Sequence, residues 1–88
     1  MSISHVYDTY AKTNKGTIMH FDVLLDEQNQ EKAIEFAKDW LQSIGQSDAT
    51  VTSENCYFCH SAEPPPELRK QIDARGYAIY KMEGCPKD

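Results

Sequence analysis

The hydrophobic pattern changes its period near residue 26, and this change constrains the fold more than any other feature of the chain. Before it, residues 3–10 and 17–25 are rich in Val, Ile, Tyr, Thr and Phe and alternate with a period of two, as strands do. After it, residues 29–44 place apolar side chains at spacings of three and four, as an amphipathic helix does. The chain is therefore predicted to begin with two strands and continue with a helix.

The turn signal at residues 13–16, Thr-Asn-Lys-Gly, joins the two strands into a predicted β-hairpin. One face of this hairpin is assigned mainly to the core, and it holds Val6, Asp8, Tyr10, Met19, Phe21, Val23 and Leu25. The opposite face is a mixed polar and aromatic surface, and it holds His5, Tyr7, Thr9, Ile18, His20, Asp22 and Leu24.

The second half of the chain is predicted to form a strand, a helix and a strand. Thr50-Val51-Thr52 alternates in a short strand at residues 49–53, three prolines precede a helix at residues 67–75, and residues 77–82 close as a strand. The order β-β-α-β-α-β predicts an α+β fold in two layers, with a four-stranded mixed sheet and both helices on one face. At 88 residues the chain has room for one core, so residues 1–88 are predicted to be a single domain.

Charge and composition exclude several classes of partner. The chain has 14 acidic and 9 basic residues, a net charge of −5, and its basic residues are scattered, so we expect no nucleic-acid partner. Its longest aliphatic run, Val23-Leu24-Leu25, is far shorter than the roughly 20 residues that span a bilayer. The first residues do not resemble a secretory signal, so we expect a cytoplasmic protein without membrane association.

The stretch Cys56-Tyr57-Phe58-Cys59-His60 is the most chemically distinctive part of the sequence, and Cys85 follows the last predicted strand. A helix that connects neighbouring strands of one sheet normally makes them parallel, so the third and fourth strands should end at the same edge. Cys56 and Cys85 follow these two strand ends at similar distances. We therefore predict that Cys56, Cys59 and Cys85 cluster in space, with His60 nearby.

Four interpretations of this cluster remain open. Three thiolates and one imidazole match the ligand set of tetrahedral zinc, which makes Cys56, Cys59, His60 and Cys85 a candidate structural zinc site. Ordinary half-buried thiols explain the cysteines without any metal. Thiol redox chemistry lacks support because no helix N-terminus or cation adjoins the pair. Covalent haem attachment uses the same Cys-x2-Cys-His spacing but requires a cavity that a domain of this size does not offer.

A second candidate site lies on the polar face of the hairpin. His20 and Asp22 share that face with Tyr7 and form a candidate proton-handling group, although an exposed polar sheet face explains them without any chemistry and is the favoured interpretation. An uncovered sheet face is also a natural docking surface, for a second copy of the chain or for an unidentified partner. The leading hypothesis is a non-catalytic module with a zinc-binding Cys/His cluster, and the alternatives are self-association or partner binding and thiol redox chemistry.

Several stretches together resemble a known family. They are Val6-Tyr7-Asp8-Thr9-Tyr10, Met19-His20-Phe21-Asp22-Val23, Trp40-Leu41 with Ser43-Ile44-Gly45, Cys56-Tyr57-Phe58-Cys59-His60 and Lys81-Met82-Glu83-Gly84-Cys85-Pro86. Their combination resembles the bacterial family catalogued as domain of unknown function 2024, over nearly the whole chain. The resemblance implies a compact bacterial α/β domain, and it implies no activity, cofactor or catalytic residue.

Overall fold

The computed structural model describes residues 3–84, which form four strands and two helices. In chain order they are β1 (Ser4–Lys12), β2 (Ile18–Leu25), α1 (Gln30–Ser43), β3 (Cys56–Ala62), α2 (Pro66–Arg75) and β4 (Ala78–Lys81). The predicted α+β class and the order β-β-α-β-α-β are confirmed. No helix within the described residues is long and apolar enough to cross a membrane.

The third strand lies later in the chain than its predicted position at residues 49–53. Thr50 makes only an isolated bridge to Lys12, and a single 3₁₀ turn at Ser53–Asn55 then leads into β3. The Cys-x2-Cys-His stretch is therefore the strand itself and not a loop after it. Alternation could not reveal β3, because every residue between its two ends is exposed.

The sheet is open, with strand order β3-β1-β2-β4, and its three strand pairs are antiparallel. The predicted mixed sheet is therefore wrong. Parallel pairing is expected when a helix connects strands that are neighbours in the sheet. Here the β1-β2 hairpin lies between β3 and β4, so α2 connects strands at opposite edges and that expectation does not apply.

One face of the sheet packs against α1 and forms the main core. Cross-strand pairing aligns Tyr7 with Val23, and Val23 with Ile79, which places these side chains on the α1 side. Phe21 meets Trp40 of α1 with ring centroids 4.7 Å apart. The other core side chains of this layer are Ala11, Met19, Leu25, Ala33, Ala37, Leu41, Val51, Cys56 and Tyr77.

The predicted core face of β2 is confirmed, but that of β1 is wrong. Tyr7, Thr9 and Ala11 point to the core, whereas Asp8 and Tyr10 point to the other side. The alternation of β1 did not identify its core face, because both faces of this strand bury apolar side chains: Tyr7 on the α1 side and Val6 on the α2 side. The hairpin register, which is set by the turn, resolves the ambiguity.

The two helices lie on opposite faces of the sheet, so the prediction that both share one face is wrong. Ile72 of α2, with Leu68 beside it, packs against Val6, Leu24 and Ala78, which alternate with the core residues along their strands. This apolar patch would face water if α2 lay on the α1 side. Because α2 covers only one end of the face, the other end remains open.

Local signals mark the start of α1 and the end of α2. Asn29 Oδ1 accepts a hydrogen bond from the Lys32 backbone N–H at 3.2 Å, which caps α1. Gly76 follows α2 with φ +94°, in the left-handed region that suits glycine. Arg69 then ties α2 to the hairpin, since its guanidinium donates to both carboxylate oxygens of Asp26 at 2.9 and 3.0 Å.

Candidate functional site

The open end of the sheet carries two aspartates and a histidine that converge on one another. Asp8 of β1 and Asp22 of β2 are direct cross-strand partners, and His20 lies two residues from Asp22 on the same face. One ligand atom from each of the three lies within 4.8 Å of the others, and each residue is partly buried. Among residues 3–84, no other three His, Cys, Asp or Glu side chains bring their ligand atoms this close together.

His20 is held in place by its ring and by its backbone. Its Nε2 contacts Asp8 Oδ1, and its ring stacks on Tyr10 with a centroid separation of 4.2 Å and an interplanar angle of 8°. The His20 backbone N–H donates to the Glu83 carbonyl at 2.8 Å, and its carbonyl accepts from the Met82 N–H at 3.0 Å. The imidazole therefore lies on a rigid part of the sheet.

The two carboxyl groups lie between tyrosines on the same rung of the sheet. Asp8 pairs with Tyr57 of β3 on one side, and Asp22 pairs with Tyr80 of β4 on the other. Tyr57 is 54% exposed and Tyr80 55% exposed, so the carboxyl pair lies between two solvent-facing aromatic rings. The site thus has aromatic walls on both sides and remains open to solvent above.

Asp22 holds its proton to a much higher pH than an ordinary aspartate. Its pKa is raised from 3.8 to about 6, chiefly by burial and then by the negative charge of Asp8 and a hydrogen bond to Asp8. The nearby imidazoles of His20 and His60 oppose this shift. The pair can therefore release this proton to solvent near pH 6, or when a bound cation displaces it.

A cavity of about 240 Å³ adjoins the cluster, and Asp22 forms part of its wall. Tyr80, the cross-strand partner of Asp22, also lines this polar end. His60, which pairs with Val6, and Glu63, which follows β3, line the cavity from the β3 side. The remainder of the lining, farther from the cluster, is mostly apolar and forms the apolar end: Val6, Leu24, Ala62, Pro64, Pro65 and Leu68. The sheet forms one side of the cavity, and Pro64 and Pro65 together with Leu68 of α2 form the other.

Cys56 lies on the core side of the sheet, away from this cluster. It is fully buried, and the Thr9 hydroxyl donates a hydrogen bond to its Sγ at 3.5 Å. Burial raises the pKa of the Cys56 thiol, the Thr9 hydrogen bond opposes the shift, and the charge of Asp8 adds to it. Such a thiol is a poor nucleophile at neutral pH.

Cys59 occupies a β-bulge at the exposed edge of the sheet. Val6 pairs with His60 and Tyr7 pairs with Phe58, so Cys59 is the extra residue of β3. Its side chain is exposed, and its Sγ lies 3.2 Å from His60 Nδ1. Cys56 and Cys59 are both free thiols.

The geometric premise of the predicted cysteine cluster is wrong, because β3 and β4 lie at opposite edges. The rung that starts at Cys56 crosses Thr9 and Phe21 before it reaches Lys81 of β4, a span of about 14 Å at the usual strand spacing. Within residues 3–84, the ligand atoms of Cys56, Cys59 and His60 do not converge to within 4.8 Å. Cys85 lies outside the described residues, so the zinc site that includes it stays a prediction.

The predicted surface site is brought together only in part. His20 and Asp22 lie side by side, but Tyr7 is buried on the opposite face, and Asp8 occupies the position next to them. The sequence did hold a signal for Asp8, because aspartate is almost never fully buried without a partner. The predicted self-association or partner binding through this open face stays a prediction.

Comparisons with known proteins agree with the family resemblance. A family model described as "Domain of unknown function (DUF2024)" matches residues 1–82. The NMR structure of protein NE1680 from the bacterium Nitrosomonas europaea is 58% identical and superposes with a TM-score of 0.85. That match covers 96% of this chain and 99% of the other. No curated protein matches the chain.

Proposed function

This chain belongs to the family described as a domain of unknown function, DUF2024, and from the geometry of its open sheet face we propose that it binds a divalent transition-metal ion. The observation that supports this proposal is the convergence of Asp8, His20 and Asp22, whose ligand atoms lie within 4.8 Å of one another. Three such groups on rigid strands form one side of a coordination sphere.

The donor set indicates the class of metal. Two carboxylate oxygens and one imidazole nitrogen suit Zn²⁺, Mn²⁺, Fe²⁺ or Co²⁺ better than Ca²⁺ or Mg²⁺, which prefer ligand sets made entirely of oxygen. Three protein ligands also leave coordination positions for water or an exogenous ligand, as in sites that bind substrates. The positions left free here would face solvent and the adjoining cavity.

The electrostatics of the site favour a cation. Asp8 and Asp22 repel each other when both are ionised, and this repulsion contributes to the raised pKa of Asp22. A divalent ion between them would replace the shared proton and remove the repulsion. Binding should therefore release a proton below about pH 6, and the apparent affinity should rise as the pH increases through that value.

Calorimetric titration of chelator-treated protein with Zn²⁺ or Co²⁺ at pH 7 tests the proposal. We expect one ion per chain, and we expect the variants Asp8→Asn and His20→Gln to weaken binding by at least about tenfold, since even outer-shell changes have that effect. His5→Gln is the matched control, because His5 lies on the other face of the sheet, opposite Leu25.

A second variant separates this site from the predicted cysteine site. Replacing Cys56, Cys59 and Cys85 together by serine should leave the stoichiometry and the affinity unchanged if the aspartates and His20 bind the ion. Loss of binding in this triple variant, with normal binding in His20→Gln, would assign the metal to the cysteines. A wild-type protein that binds neither ion would refute both metal sites.

A further inference from the structure

The cavity beside the cluster has the shape and lining of an organic-ligand site. We propose that it binds the apolar chain of a short aliphatic carboxylic acid whose carboxylate coordinates the metal ion held by Asp8, His20 and Asp22. This inference rests on the proposed metal site and names the ligand class that the site would take. The juxtaposition that supports it is a cavity with one polar end at the cluster and one apolar end beneath α2.

The polar end suits an anionic head group only when a metal is present. A divalent ion held by two ionised aspartates and a neutral imidazole leaves no net charge at the centre, so a carboxylate can occupy a free coordination position. His60, which lines the cavity from β3 and acts electrostatically on Asp22, offers a further hydrogen-bond donor to that carboxylate. Without the ion, Asp8, Asp22 and the nearby Glu63 would repel the same head group.

The apolar end sets the chemistry and the size of the remainder of the ligand. Val6 and Leu24 form the floor, and Pro65 and Leu68 form the wall beneath α2, so the lining there is aliphatic. The volume of about 240 Å³ is below the roughly 300–1,000 Å³ of sites for drug-sized ligands, which restricts the ligand to a few carbon atoms.

A chain-length series of carboxylates on Co²⁺-loaded protein tests the inference. The visible absorption of Co²⁺ reports whether a carboxylate enters its coordination sphere, and acetate, propionate, butyrate and pentanoate are titrated in turn. If each added methylene group enters the cavity, the affinity should rise about fourfold per group and about sixtyfold over the three groups from acetate to pentanoate. The same titration of metal-free protein should show no binding.

Two adjacent substitutions locate the chain. Ala62 lines the cavity, so Ala62→Phe should fill it and abolish the dependence on chain length, while Co²⁺ and acetate still bind as in the wild type. Ser61 is the neighbouring residue on the other face of β3, so Ser61→Phe serves as the matched control and should retain the full dependence.

The outcomes separate this inference from the metal proposal. If the wild type binds no Co²⁺, the metal proposal fails and the inference fails with it. If Co²⁺ binds but all four acids bind equally, or if Ser61→Phe and Ala62→Phe behave alike, only the inference is refuted. If butylamine binds metal-free protein more tightly than pentanoate binds the Co²⁺ form, the cavity is a site for organic cations and the inference is wrong.

Discussion

Replacement of Asp22 by asparagine should stabilise the metal-free protein at neutral pH. The pKa of Asp22 rises from 3.8 to about 6 on folding, first through burial and then through Asp8. The folded state therefore binds more protons than the unfolded state between these values, and the free energy of unfolding falls as the pH rises from about 4 to about 6. Asparagine keeps the shape of the side chain and a hydrogen-bond donor toward Asp8, but it has no charge to desolvate.

The expected gain follows from the size of the pKa shift. A shift of about two pKa units corresponds to roughly 3 kcal/mol between the two protonation states if it acts in full. Asp22 is only partly buried, so solvent screening should remove about half of this effect. We expect Asp22→Asn to raise the free energy of unfolding by about 1.5 kcal/mol at pH 7.5 and to have almost no effect below pH 3.5.

Urea unfolding between pH 3 and 8, in the presence of chelator, measures this difference. The single tryptophan, Trp40, is 5% exposed in the core and reports unfolding by its fluorescence. Glu35→Gln on the exposed side of α1 is the control, since it removes the same charge away from the site. A destabilised Asp22→Asn variant at pH 7.5, or a gain that does not change with pH, would refute the argument.

Two further predictions concern the backbone and the thiols. Gly84→Ala should lower the free energy of unfolding by more than about 3 kcal/mol, against about 1 kcal/mol for Gly45→Ala, as measured by urea unfolding. Both glycines have positive φ, but a Cβ at Gly84 would lie 2.1 Å from the Ile18 carbonyl oxygen of β2, whereas one at Gly45 would meet nothing within 4 Å. Equal losses of stability in the two variants would contradict the close packing of Gly84 against β2. In a Cys85→Ser chain, Ellman's reagent at pH 8 should modify exposed Cys59 rapidly and buried Cys56 only on unfolding, and two equally fast thiols would contradict the placement of β3.

Local signals in the sequence were sufficient for most of the secondary structure. The stripe of α1 lies between Asn29, which caps its first turn, and Gly45, whose φ of +78° suits the position after its end. Each of these signals depends on residues within one or two helical turns, and propensity and hydrophobic period report such short-range preferences directly. The hairpin and α2 were found for the same reason.

The edge strand β3 shows where local signals fail. Thr50-Val51-Thr52 alternates like a strand but forms only one bridge, while Cys56–Ala62 lacks alternation and pairs along its length with β1. Pairing at the edge of a sheet satisfies backbone groups and requires no buried side chain on either face. A pattern of apolar residues therefore cannot detect such a strand.

The sequence by itself determined the α+β class, the order of the elements and the polar side chains available for chemistry. Only the tertiary structure decided that β3 and β4 lie at opposite edges and that Asp8, rather than Tyr7, joins His20 and Asp22. The physical reason is that strand order and register depend on contacts between residues far apart in the chain. A change of one residue in register exchanges the two faces of a strand, so the same residues form either a core or a site.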